Sequence, residues 1–145
     1  MILFSSALQL NVNKIIIMNS LIIDAARDKI FLTFIASKNI YTCTHENSKI
    51  NFERLMLLIK HFLENNKSSL DDIDTIYVNR GPGSFAGIRN SLSTIKALFL
   101  TKKIDYYCFS FGDFEESATN NYADVPQLCE KYKIKKNLIN PIYLS

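Results

Sequence analysis

The chain has 145 residues, 48% of them hydrophobic and 21% charged. These are the proportions of a globular chain, not of a disordered or fibrous one, and at roughly 100–200 residues per domain they describe one domain with room for a tail. Lys and Arg number 17 against 14 acids, a formal charge of +3, too mild to argue for nucleic acid by charge alone.

Cys43, Cys108 and Cys129 are far apart and form no CxxC. They fit a reducing, cytoplasmic setting and read as small apolar core residues. His45 and His61 are too isolated for a metal cluster. No metal or cofactor is expected. Residues 1–17 have an apolar patch but no cationic start and no clear cleavage site, so they read not as a leader but as an extension or as the product of a start codon assigned too early. No apolar run is long enough to span a bilayer.

From Ser20 onward, Leu21–Ile23, Ile30–Ile35 and Ile40–Thr44 read as three strands joined by short polar links, which favour antiparallel neighbours. Between residues 50 and 65 the period changes. Phe52, Leu55, Met56, Ile59, Phe62 and Leu63 form one stripe of a helix, with Leu57 and Leu58 off that stripe. A strand over Ile73–Val78 runs into a glycine-rich turn, and a second helix follows from about Phe85 to Leu100. Its expected core stripe is Phe85, Ile88, Leu92, Ile95 and Phe99. Tyr106–Phe111 is a fifth strand and residues 115–123 a polar loop. Asp124 and Pro126 open a short helix, with Asp124 as its N-cap. The order βββαβαβ implies an α/β fold with a mixed five-stranded sheet and a short C-terminal helix.

The turn Arg80-Gly81-Pro82-Gly83-Ser84-Phe85-Ala86-Gly87-Ile88-Arg89 is the most informative stretch. Glycines there admit positive φ or close backbone approach, and Ser84 suits an N-cap. A Walker loop fails because Ile88-Arg89, not Lys-Ser or Lys-Thr, follows Gly87. A dinucleotide fingerprint fits loosely as Gly81-x-Gly83-x-x-Ala86, but Asp105 and Asp113 are each misplaced for the ribose acid.

The whole stretch GPGSFAGIRNSLSTIKAL resembles the GPGSFTGLRIGLATAKGL signature of the TsaB (YeaZ-type) family. Met18 to Ala26 resembles that family's start, an apolar strand ending in Asp-Thr-Ser. Asn51-Phe52-Glu53-Arg54-Leu55 resembles its His-Ser-Glu-x-Leu helix start, and Pro141-Ile142-Tyr143-Leu144-Ser145 its closing Pro-Val-Tyr-Leu-Arg. The departures are Ala25-Ala26 for Thr-Ser, Asn51 for His, Ala86 for Thr and Ser145 for Arg. Only the polar loop stands where the family carries its second lobe.

The resemblance implies the first lobe of an actin/Hsp70-like ATPase fold over residues 18–114, then the 115–123 loop and a helix-and-tail segment over 124–145. In that fold Asp24 takes the phosphate-loop position, here without its hydroxyl neighbours, so no catalysis is expected. The resemblance further implies a non-catalytic partner of a TsaD-like enzyme, acting with a TsaE-like ATPase on the adenosine beside the tRNA anticodon. A homodimer is also admissible, and tRNA is reached only through the complex. Gly87, Ser91, Thr94 and Leu98 on the second helix, with Leu57 and Leu58 on the first, are the expected partner interface. A small nucleotide-binding enzyme using the Gly81–Gly87 loop, or a degenerate self-associating remnant, are the alternatives. The Lys131, Lys133, Lys135 and Lys136 cluster reads as solvated surface.

Because the family-like start follows Met18, deleting residues 1–17 is expected to leave the melting temperature and partner binding unchanged. A large drop in melting temperature on truncation would instead place Leu3, Phe4 and Leu8 in the core.

Overall fold

The structure is a computed structural model that describes residues 18–115 and 121–143. The readings placed on residues 1–17 and on the middle of the polar loop, and the comparison at Leu144 and Ser145, lie outside these residues. Five strands form one sheet: β1 (Asn19–Asp24), β2 (Lys29–Ala36), β3 (Asn39–Glu46), β4 (Thr75–Asn79) and β5 (Asp105–Phe109). The spatial order is β3-β2-β1-β4-β5. The first three strands form an antiparallel meander through short turns, as the brief polar links require. β4 and β5 lie parallel to β1 and to each other, each reached through a helical crossover.

The first helix is divided in two, α1 (Lys49–Glu53) and α2 (Leu55–Asn65), with Arg54 out of helical geometry between them. Ser48 caps α1 by accepting the Asn51 N–H. The expected stripe is buried through Phe52, Leu55, Ile59, Phe62 and Leu63, and Met56 is half-buried against it. Leu58 corrects the sequence reading. It joins the core and is not available to a partner, whereas Leu57 stays exposed.

α3 (Phe85–Lys102) packs beside α1 and α2 on the same sheet face. Its buried side is rotated from the expected stripe. Ile88, Leu92 and Ile95 are buried as expected, but Phe85 is 57% exposed and Phe99 only partly covered. Gly87, Ser91 and Leu98 turn inward instead. Ser91 tolerates this because its hydroxyl donates to the Ile88 carbonyl at 3.0 Å, so no polar group is stranded. A charge at Ser91 therefore lands inside the monomer, not on a partner surface. Thr94 is half-buried, its hydroxyl donating to the Asn90 carbonyl.

The opposite sheet face carries a second core under α4 (Val125–Lys131), where Ile22, Tyr77, Phe109, Phe114, Val125 and Leu128 meet. Asp124 stands at the N-cap position with Pro126 in the first turn, but its side chain makes no cap bond. Asn121 caps the preceding turn instead, accepting the Ala123 N–H. The fifth strand ends at Phe109, two residues early, because Ser110 and Asp113 form a capping box that curls the chain. Cys108 and Cys129 are buried, and burial pushes both thiols up to about 12; half-buried Cys43 is pushed up to about 11. No described helix is long and apolar enough to cross a membrane.

The helices share an unusual ending. Lys67, Lys103 and Lys133, just beyond α2, α3 and α4, all have left-handed backbone, with φ of 58°, 56° and 54°. Glycine is the usual choice there, since a β-carbon costs about 1 kcal/mol in that region. A lysine regains part of this by facing the negative end of the helix dipole. Lys103→Gly is expected to stabilise the fold by about 0.5–1 kcal/mol in urea unfolding.

Candidate functional site

Asp24 ends β1 with its carboxylate fully buried. A charge in such a place must be neutralised by donors, and four groups converge on it. The Ala26 N–H donates at 3.0 Å, Asn79 Nδ2 at 3.0 Å and the Tyr122 hydroxyl at 2.6 Å, while Arg27 Nε lies 3.4 Å away. Arg27 also sits over the rings of Phe111 and Tyr122. Burial, then the charge of Asp24, pushes the Tyr122 hydroxyl well above the usual phenol range, so it stays a donor. Both oxygens of Asp24 are thus engaged by the chain itself.

The glycine-rich turn packs directly on this corner. Asn79, at the end of β4, accepts the Gly81 N–H at 2.9 Å while donating to Asp24. A β-carbon on Gly83 (φ 157°) would overlap the Ala26 carbonyl oxygen, and one on Gly87 would overlap that of Ala25. Ser84 donates its N–H to the Ala26 carbonyl at 2.8 Å and caps α3 by accepting the Gly87 N–H at 3.1 Å. The glycines are therefore used up in admitting one stretch of this backbone against another. Pro82 is exposed behind a cis Gly81–Pro82 bond. Arg80 leaves the turn on the other side, forking onto Asp113 at 2.6 and 3.3 Å and reaching the Asn140 carbonyl at 3.0 Å. Ile142 donates its N–H to the Arg80 carbonyl, tying the tail to the loop.

The outward side of α3 is formed by Phe85, Ala86, Arg89, Ser93, Ala97 and Leu100. Leu100 is 67% exposed, and Phe85 leans against Tyr143 with ring centres 4.7 Å apart. Between α1 and α3 lies an open groove of about 550 Å³, lined in part by Phe52, Phe85, Ala86, Arg89 and Ser93. On the neighbouring helices Ile50 is 64% exposed and Leu57 39%. The helical layer thus offers apolar and small side chains to solvent, one position around the helix from the face expected from sequence. Of the expected interface residues, only Leu57 and part of Thr94 reach this surface.

Sequence reasoning missed Asn79, Arg27, Arg80 and Tyr122. Asn79 and Arg80 adjoin the glycines and were open to the question of what satisfies the loop. Tyr122 contacts Asp24 across 98 positions, and no local pattern announces that.

A meander of three strands followed by two crossovers, with an aspartate at the end of β1 and a glycine turn after β4, defines one lobe of the actin/Hsp70-like α/β class. A family model described as TsaD, tRNA N6-adenosine threonylcarbamoyltransferase, matches residues 45–110. Two proteins named tRNA threonylcarbamoyladenosine biosynthesis protein TsaB, from Buchnera aphidicola of Schizaphis graminum and of Baizongia pistaciae, are 31% and 30% identical to this chain. The matched stretches cover 62% and 50% of this chain and 43% and 38% of those proteins. A solved structure of YeaZ from Pseudomonas aeruginosa aligns with a TM-score of 0.59 at 18% identity, over 64% of this chain and 44% of that one. Over the matched region the chain is similar in sequence to these TsaB proteins and shares the fold of YeaZ. It spans less than half the length of these curated relatives.

Tyr122→Phe is expected to remove one charge-assisted hydrogen bond and to lower stability by about 1–3 kcal/mol in urea unfolding at neutral pH. An unchanged midpoint would show that Arg27, Asn79 and Ala26 already satisfy Asp24.

Proposed function

We propose that this chain is a non-catalytic partner subunit of a TsaD-type enzyme in threonylcarbamoyl modification of the adenosine beside the tRNA anticodon. The observation that carries this reading is the exposed apolar face of the helical layer in a chain whose relatives are named for that pathway. Ile50, Leu57, Phe85 and Leu100 are the side chains a soluble monomer ordinarily covers, and Ala86, Ser93 and Ala97 let a second helix approach closely. The partner enzyme meets this face in the cytoplasm, and a TsaE-like ATPase completes the assembly. A second copy of the chain is the alternative occupant of the same face.

The surroundings of Asp24 support a non-catalytic role. A carboxylate that holds phosphate-bound metal needs free oxygens, and those of Asp24 already accept from Ala26, Asn79 and Tyr122. Ser84, in the glycine turn, is occupied as a helix cap, and Cys43, whose Sγ lies 3.7 Å from His45 Nε2, has its thiol pushed up to about 11 by burial, which disfavours the nucleophilic thiolate.

The test is co-purification with the TsaD-type enzyme of the same cell, using one charge on each side of α3. Ser93→Glu is expected to leave the monomer folded within about 0.5 kcal/mol, because its site is exposed, and to abolish pairing by burying an unmatched charge. Ser91→Glu is expected to unfold the monomer, as its site is fully buried. Normal pairing by Ser93→Glu would place the partner surface elsewhere.

A further inference from the structure

The topology gathers lysines at one end of the sheet. β1, β4 and β5 start there, the β2–β3 turn lies there, and α2, α3 and α4 end there. Lys38 in that turn and Lys67, Lys103 and Lys133 at the helix ends are all exposed, and their ammonium groups make no hydrogen bond or ion pair among the described residues. The acids of the same end are largely engaged. Asp71 pairs with Lys102 at 2.8 Å, Asp74 accepts the Asn19 N–H, Asp72 closes the capping box at Ser69, and Asp105 accepts Asn137 Nδ2 with Lys136 at 3.7 Å. Glu64, in the last turn of α2, and Glu130, beside Lys133, are acids left facing outward among the described residues. Scattered through the sequence, these lysines look like ordinary solvated charge. Only the fold brings them together.

Beside them, between α4 and the sheet, lies a half-open groove of about 730 Å³. Its floor holds Tyr77 and Tyr107, stacked with ring centres 5.3 Å apart and planes 11° from parallel. Ser20, Thr75 and Gln127 add hydrogen-bonding groups, and Lys133 stands on its rim. Aromatic side chains beside a basic rim suit single-stranded nucleic acid, whose bases stack on the rings while its phosphates meet the ammonium groups. An aliphatic partner segment would gain little from the lysines and would leave the floor's polar groups unmatched. We infer that this end of the sheet is a binding surface for a single-stranded segment of RNA, with a base held against Tyr107 and phosphates on Lys103 and Lys133. The groove lies across the sheet from the helical face, while Lys103 ends α3, so the Tyr107 and Ser93 variants are the ones that separate this surface from the proposed pairing.

The experiment is fluorescence anisotropy of the full chain with a fluorescein-labelled single-stranded RNA dodecamer, between about 50 and 200 mM salt. Binding that weakens steeply with salt is expected. Replacing both Lys103→Gln and Lys133→Gln should lower the slope of log affinity against log salt by about 1.4, roughly 0.7 for each lost phosphate contact. Tyr107→Leu should weaken binding by about tenfold with the slope unchanged, and Tyr107→Phe should keep it. Ser93→Glu should bind RNA normally, whatever its effect on pairing. If Tyr107→Leu fails to fold by circular dichroism, ultraviolet cross-linking of the RNA to the Tyr107 peptide in the unaltered chain replaces it. No anisotropy change at low salt overturns the inference. So does equal affinity for a polyglutamate peptide of matching charge, which would make this end a polyanion surface without base stacking.

Discussion

The arrangement rests on one close contact between two pieces of backbone. The Ala25 and Ala26 carbonyls at the end of β1 press against Gly87 and Gly83, where no β-carbon would fit. That contact fixes how far the turn after β4 advances before α3 begins, and so sets the rotation of α3 over the sheet. Phe52 of α1 packs against the same glycine, with its ring edge 3.2 Å from where a β-carbon would stand. The placement of all three helices on that face is therefore coupled to two missing side chains. Asp24 adds a polar latch beneath, joining β1 to β4 through Asn79 and to the tail through Tyr122.

Much of this was legible in the sequence. All five strands were found because short apolar, β-branched runs between polar links leave few other readings. The glycine turn was legible because its composition admits so few side-chain roles. Function was approached by resemblance along that turn, not by any spacing of reactive groups. The rotation of α3 was not legible. Phe85 carries the strongest apolar signal at the helix start, yet it faces solvent against Tyr143. Ser91 carries a polar signal, yet it is enclosed because its hydroxyl is satisfied within its own helix. Periodicity weighs each residue by its type, whereas the helix is aimed by Gly87, which has no hydrophobic weight to contribute.

The two sheet faces divide the molecule's chemistry. One is closed by α1, α2 and α3 and turns a further apolar surface outward. The other is only partly roofed by the seven residues of α4, which covers Phe109 and Phe114 but leaves Tyr107 half-buried beside an open groove. A short tail thus completes the core near Asp24 while leaving the far end of the same face accessible. The tail is fastened to β1 through Tyr122, to the glycine turn through Arg80 with Asp113, Asn140 and Ile142, and to β5 through Asn137, which bonds Asp105 and Tyr106.

The left-handed lysines have a consequence for how the molecule breathes. Three helices end at the same end of the sheet in a backbone region their residues disfavour, so those last turns are held by packing and not by local preference. Helix ends of this kind fray at low cost. The opposite end is pinned by Asp24, the glycine contact and the Arg80 fork. Local opening is therefore graded along the strands, and amide hydrogens near Lys67, Lys103 and Lys133 exchange with solvent well before those around Asp24.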